Sequence, residues 1–598
     1  MRALLFGCLA LLGSAPPASA GDVTARLERA DIEVRARSAW PAKLNKGWAP
    51  LRLELRNCSS EPARVRLDAN APEWQLQRVF ERSFELAPGE SIETEVLLPA
   101  GGQWQQDWNL RLRSQRGDDW NSAGVLSGGC ELDYLAILAV SDEVVSASRI
   151  AEWGETTSRL KVNPGGYVPP GTTTTPDDAQ IALARYDDLP RAWNGYSSLD
   201  LVVLDARREL PPEKELESLV AWVRAGGVAL IAGPRARELA AERGSLAPWL
   251  EERFRVTKDA GDLQTCGLGV LALHTSEQWF DDPDLRESVH RLASEKWDIA
   301  PRADGTSRAR RTDLAIPGLG AIPHHIFALL LIAFGLLIGP VNFLWIARKG
   351  RPVLLLLTIP MIALATTLTL LVYGTLVQGL DVKVASQSIA LLDERLHRSA
   401  CVERRLIYAG LSPGEGLRPE ASTALHFLRE GSGRFGSVGR NLLRIEQDPD
   451  LLLAGDYLPT RIAVQHILQN ERAARGRLEV SRSPEGLVVR NGLGARIASV
   501  LARDERGAWY ASSSAIAEGA TATLAPCEPP TRDDLATEPI EIQIGSWARS
   551  PEELIPHATY LARIERSPFR DGCGIETTEL ASDHRLLGIW DLQSEVWK

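Results

Sequence analysis

The chain has 598 residues, a formal charge of −11 and 44% hydrophobic residues, too long for one core and sized for about three or four domains. No basic stripe interrupts the acidic balance, which excludes a phosphate-tracking surface and with it a nucleic-acid partner. The hydropathy is ordinary overall, so any membrane-embedded part must be small.

Met1-Arg2, the apolar run Ala3 to Leu12 and the small-residue end Ala18-Ser19-Ala20 form the three parts of a secretory signal. Residues 1–20 are predicted to be removed by cleavage after Ala20, since the run falls short of the roughly 20 residues that span a bilayer. Cys8 resembles a lipoprotein site only faintly, because too little apolar sequence precedes it. Export leaves Cys58, Cys130, Cys266, Cys401, Cys527 and Cys573. Their spacing suits no metal, and an oxidising compartment permits disulfides. Cys527 with Cys573 is the first pairing to expect, both lying in one late domain; unpaired buried thiols are the alternative.

Residues 21–128 read as a β-sandwich. Apolar and charged side chains alternate in Ile32-Glu33-Val34-Arg35, Leu51-Arg52-Leu53-Glu54-Leu55 and Leu110-Arg111-Leu112-Arg113, which puts one face in a core and one in water. Ala87-Pro88-Gly89-Glu90 and Asn57-Cys58-Ser59-Ser60 supply turns. The entry Gly47-Trp48-Ala49-Pro50-Leu51 resembles bacterial immunoglobulin-like modules. Trp104, Trp108 and Trp120 suit core packing or, alternatively, a sugar-binding face.

Over residues 129–300 the pattern changes. Leu132 to Val140, Gln180 to Ala184, Leu199 to Leu204 and Val228 to Ala232 are continuous apolar runs, as parallel strands buried on both faces require. Pro211 to Arg224 carries Leu216, Leu219, Val220 and Val223 at helical spacing, opened by proline and closed by Gly226-Gly227. Strand, helix and strand on short links predict an α/β, flavodoxin-like domain.

The segments Leu189 to Tyr196, Leu199 to Asp205 and Leu219 to Gly227 resemble class I glutamine amidotransferase-like domains. The likeness covers about residues 130–260 and implies a nucleophilic Cys on a strained strand-to-helix turn. The point after Val228 to Ala232 instead reads Gly233-Pro234-Arg235-Ala236, with neither Cys nor Ser. Cys266, expected in a loop before the strand Val270 to Leu273, is the remaining nucleophile candidate, with His274 or His290 as its base. A ligand would sit at the carboxyl ends of the strands, where Asp205 and Arg235 are the binding candidates. The loop Gly165 to Pro176 would cover that edge.

A linker over 301–324 leads to two uncharged runs, Ile326 to Ala347 with 22 residues and Pro352 to Val377 with 26. Each is long enough to span the roughly 30 Å hydrocarbon layer. Transmembrane helices are predicted over 325–347 and 352–378, joined by the turn 348–351. Arg348, Lys349 and Arg351 mark that turn as cytoplasmic. Trp345 and Tyr373 suit the two interfaces, Pro340 and Pro360 predict kinks, and Asn342 is expected to bond the neighbouring helix. No ionisable side chain lies at mid-depth, so the pair reads as an anchor; His324-His325 sit at its outer edge. With this hairpin the whole chain resembles uncharacterised bacterial membrane proteins.

Residues 379–598 form a β-rich periplasmic domain in this reading, with a second sandwich built from Leu478 to Val480, Leu487 to Asn491 and Thr521 to Leu524. A helix is expected near 459–472 and a last strand region from Tyr560. Ser567-Pro568-Phe569 breaks it. The sequence holds no H-E-x-x-H, G-x-S-x-G, P-loop or dinucleotide motif, so no cofactor or metal is expected. The expectation is a non-catalytic scaffold or binding protein on the periplasmic side of a bacterial inner membrane, its partners the lipid bilayer and other envelope proteins. An envelope amidase or hydrolase, and an accessory subunit of a membrane complex, are the alternatives.

Overall fold

The computed structural model describes residues 22–123, 134–141, 178–283, 314–531 and 550–591, with short breaks inside these ranges. The signal segment, Cys8, Trp104, Cys130, the loop 165–176, His290 and most of the linker 301–324 lie outside the described residues. What is described is predominantly β-sheet.

The first sheet is antiparallel in the order Asp22–Leu27, Ile32–Arg37, Trp48–Asn57, Ser91–Pro99. Ile32, Val34 and Ala36 point inward while Glu33 and Arg35 face water, the alternation that a half-buried strand requires. Facing it is a six-stranded sheet, and two of its strands come from far downstream. Asn441–Gln447 pairs in parallel with Leu76–Leu86, and Leu451–Gly455 pairs with Asn441–Gln447. The expected boundary at 379 is therefore corrected: residues 441–455 complete the N-terminal sandwich. Their own period-two pattern drives this, since Leu443, Ile445 and Leu453 are all buried against the sandwich core and their backbones close an otherwise open edge. Trp108 is buried in that core and the half-buried Trp120 packs against it, the first of the two uses expected of them.

The middle sheet runs in the order Asp178–Ala184, Tyr134–Val140, Leu201–Asp205, Val228–Ala232, Gly269–His274, Gly261–Cys266, Arg255–Lys258. The first five strands are mutually parallel, and the last two pairings in the sheet are antiparallel. Leu201–Asp205 and Val228–Ala232 are buried at every position, which explains their unbroken apolar runs. Helix Glu213–Arg224 follows Pro212 and buries Leu216, Leu219, Val220 and Val223. It ends at Gly226, whose φ of +114° suits glycine. At Gly227 a Cβ would lie 2.4 Å from the Trp222 ring, so the indole takes the place of a side chain. The loop expected around Cys266 is instead a tight hairpin, Gly261–Cys266 to Gly269–His274, turning at Gly267 with φ +68°.

Helix His324–Leu336 continues through a π-turn, Leu337–Val341, into Asn342–Lys349. Pro340 sits inside the π-turn: its ring cannot donate the usual bond, and the widened turn absorbs the mismatch. Within this stretch Ala328–Lys349 is long and apolar enough to cross a membrane. Gly350, at φ +63°, caps it. Leu355–Gln378 follows as a second apolar helix lying against the first. Asn342 is buried, yet its Nδ2 has no hydrogen-bond partner among the described residues, contrary to the bond expected of it.

After the helices comes one continuous eleven-stranded sheet, in which the expected strands around Leu478, Leu487 and Leu524 fold back to share a core with Ala390, Leu392 and Tyr560. Where a helix is expected near 459–472, Ala463–Ala473 forms a strand next to the sheet edge, paired on both sides, with Arg398–Ala409 and Thr423–Leu428. Two ladders outweigh a modest helical spacing here, and the strand is buried on both faces, with His466, Ile467, Leu468, Asn470 and Glu471 all buried. The sheet is apolar on both faces around Val382–Asp393. Leu391 joins the large shared core, while Ala390 and Leu392 face a second core with Tyr560 and Trp590. The domains are knitted together: Trp48 Nε1 donates to the Leu425 carbonyl at 2.9 Å and Trp193 Nε1 to that of Ser422 at 3.2 Å. Glu471 is buried against Arg224 at 2.6 Å and also holds Arg398.

Candidate functional site

The carboxyl edge of the parallel strands gathers some of the expected groups and separates others. Asp205, Ala232 and His274 stand in one row across neighbouring strands. Asp205 is buried, accepts from Ser141 Oγ at 3.1 Å and lies 3.4 Å from Arg207. His274 Nε2 stands 3.1 Å from Asp282. Arg235 begins the short helix Ala236–Ala241 and its exposed guanidinium pairs with Glu238 at 2.7 Å, three residues on. Asp205 and Arg235 are thus each engaged by a neighbour of their own.

Cys266 is 1% exposed, and burial pushes its thiol up to about 12. A nucleophilic cysteine needs the opposite, a stabilised thiolate. Cys266 opposes Gly269 in the hairpin, and His274 lies five residues further along that strand, about 16 Å away at the usual strand rise. No Cys266–His274 dyad exists. The expected Cys527–Cys573 disulfide is likewise absent, and both are free thiols. Cys527 is exposed at the end of Thr521–Cys527. Cys573 is buried beneath Arg405, whose Nη1 lies 3.8 Å from its sulfur, and its thiol is raised chiefly by that burial. Cys58 is free and exposed, Cys401 free and buried.

A polar cluster that sequence reasoning missed lies inside the eleven-stranded sheet. His584 Nδ1 meets Ser388 Oγ at 2.8 Å and its Nε2 meets Glu579 at 3.2 Å. Arg570 reaches Glu579 at 2.7 Å and Glu403 at 3.2 Å, while Arg405 forks onto Glu403 at 3.0 and 2.7 Å. Burial would raise the Glu579 carboxyl, but the hydrogen bonds from His584 and Ser386 and the Arg570 charge hold it down at about 2. Adjacent parallel strands create the contact by setting Ser388 opposite His584. The signal was visible as Ser386 and Ser388 recurring with period two in an apolar strand. Hydroxyl, imidazole and carboxylate in series can move a proton. Ser388 is 1% exposed and His584 0%, and every charge finds its counter-charge within the cluster. Its work is to pin the segment Ser567 to Cys573 across the sheet, where Asn470 Nδ2 also holds the Phe569 carbonyl at 2.9 Å.

An open cleft of about 560 Å³ lies elsewhere, between the middle sheet and the late domain. Arg253, Phe254 and Thr265 form one wall, and Arg503, Glu552 and His557 the other. Among the described residues no group of three or more His, Cys, Asp or Glu is placed to hold a metal ion.

No family model matches the sequence, and no curated protein matches it. Among solved structures, a mutant β-glucuronidase of Bacteroides uniformis is 11% identical, covering 34% of this chain and 33% of its own, with a TM-score of 0.15. The μ-homology domain of yeast δ-COP is 9% identical, covering 35% of this chain and 96% of its own, also at 0.15. An Escherichia coli α2-macroglobulin fragment, 11% identical, covers 83% of this chain and 99% of its own at 0.13. Scores this low carry no argument about fold or activity.

Proposed function

We propose that this protein is a non-catalytic scaffold or binding protein of the bacterial envelope, held in the inner membrane by a hairpin of two helices with its folded mass on the periplasmic side. One observation carries the reading: strands from before and after the apolar helices share a sheet. Asn441–Gln447 pairs with Leu76–Leu86, so both flanks occupy one compartment and the chain must cross the bilayer an even number of times. Ala328–Lys349 crosses once, and Leu355–Gln378, with 24 residues, returns it. Leu329 at 68%, Phe343 at 60% and Leu356 at 81% exposure make a surface that water would penalise and acyl chains would not. Arg348 and Lys349 at the turn favour a cytoplasmic tip.

The middle sheet supports a flavodoxin-like assignment, because its first five parallel strands follow the 2-1-3-4-5 order. The likeness to glutamine amidotransferase-like domains is proposed at that level only. Without an activated nucleophile, this domain serves binding rather than acyl transfer, with other envelope proteins as its partners.

Cys58 and Cys527 provide the test, being exposed thiols on opposite sides of the helices in sequence. A membrane-impermeant maleimide added to spheroplasts should label both, each signal vanishing in Cys58→Ser or Cys527→Ser. Labelling of one thiol only, or of either only after lysis, would refute the topology.

A further inference from the structure

The cleft of about 560 Å³ has the size of a small-molecule site, and its charges are unevenly used. Arg253 is 6% exposed at its side chain, stands 2.7 Å from Glu251 through Nε, and donates from Nη1 to the His557 carbonyl only at a long 3.5 Å. Glu251 is moreover shared with Arg395 at 2.9 Å. Across the cleft, Arg503 has no carboxylate within 4.0 Å among the described residues. Its Nη1 reaches the carbonyls of Glu552 and Ile555 at 3.5 and 3.4 Å, its guanidinium lies 5.5 Å over the Trp509 ring, and its buried Nε has no hydrogen-bond partner among the described residues. Two partly desolvated guanidiniums whose donors are only partly met, one on each wall, can receive a carboxylate. Burial depresses both below the ordinary arginine value, with the neighbouring Arg395 adding to the effect at Arg253.

The remaining lining chooses among anions. Five glutamates accompany three arginines, so a phosphate dianion would meet net repulsion. A ligand bearing one carboxylate and one ammonium would not. Glu252 is open to solvent and Glu552 stands on the opposite wall, its carboxyl held low by hydrogen bonds from its own backbone and from Ser550. Phe254 gives the wall an apolar patch, with Arg253 over its ring.

We propose that this cleft binds a short peptide with free termini, its carboxylate held between Arg253 and Arg503 and its ammonium by Glu252 and Glu552. The site does not depend on the membrane anchor or on the carboxyl edge of the middle sheet.

The test is titration calorimetry of full-length protein in detergent with tri-alanine, its carboxamide, its N-acetyl form and inorganic phosphate. Tri-alanine should saturate the protein. The carboxamide should bind about tenfold more weakly or worse, as expected for loss of one charge-assisted hydrogen bond. The N-acetyl form should be weakened too, and phosphate should bind least. Arg503→Gln should lose the preference for the free acid, and Glu552→Gln the preference for the free amine. Absence of saturable tri-alanine binding, equal binding of acid and carboxamide, or tighter binding of phosphate would each overturn the proposal. The ligand comparison on unmodified protein decides the matter even if a variant fails to fold.

Discussion

Glu394 offers a sharp test of how the late domain is held together. Its Oε1 accepts the Leu478 N–H at 2.9 Å and the Tyr560 hydroxyl at 3.1 Å, beside the Tyr560–Trp590 ring pair at 5.0 Å. Burial outweighs those two bonds and raises the carboxyl to about 7. In the unfolded chain it titrates near about 4.3. The folded state therefore keeps a proton that the unfolded state has released, and stability from this group is full below about pH 4.3. It falls as the pH rises towards about 7 and is level above that. The shift corresponds to about 4 kcal/mol, trimmed to about 2–3 kcal/mol by the water that reaches this partly exposed side chain. Glu394→Gln keeps the accepting oxygen and cannot ionise, so it should match the parent near pH 4.5 and exceed it by about 2–3 kcal/mol at pH 8. Thermal unfolding of the full chain in detergent, followed by near-ultraviolet circular dichroism across that range, reads the difference directly. A difference that does not change with pH, or a parent protein that is the more stable at pH 8, would show that ionised Glu394 is paired and the reasoning wrong.

Glu471→Ala should cost about 3–5 kcal/mol, because it strands the buried Arg224 guanidinium at the seam between the middle sheet and the late domain; limited proteolysis at that seam should accelerate, and unchanged cleavage would argue that water replaces the carboxylate. Cys266→Ala should cost only about 1 kcal/mol and leave cellular function intact, and the parent thiol should resist maleimide until the protein is denatured. Loss of function at normal protein level would revive a catalytic role for this cysteine.

Local pattern revealed local structure well. The unbroken apolar runs at Leu201–Asp205 and Val228–Ala232 are strands buried on both faces, and the helical spacing after Pro211 is a helix. What escaped was everything decided by distant pairing. Residues 463–473 have enough helical spacing to mislead, yet two ladders claim their backbone. Asn441–Gln447 shows only alternation, and nothing in it names Leu76–Leu86 as its partner. The Ser388–His584–Glu579 contact joins residues nearly two hundred positions apart through a parallel register. Asp205 ends its strand as its apolar run implies, but Ser141 and Arg207 engage it, while the exposed Arg235 pairs with Glu238.

The late strand also sets an order of events. Until residues 441–447 arrive, the edge of Leu76–Leu86 offers an unpaired ladder, and an open edge invites pairing with another chain. The partner lies beyond both apolar helices, so the sandwich cannot close until the chain has been made through them and the following segment has reached that edge. The Trp48 bond to Leu425 and the Glu471 pair with Arg224 form across the same gap. Sandwich, middle sheet and late domain are thus coupled through contacts that exist only in the finished chain. A soluble fragment ending before 441 would carry an unfilled edge and an uncompensated Arg224, and would be expected to associate with itself rather than to act as an independent module.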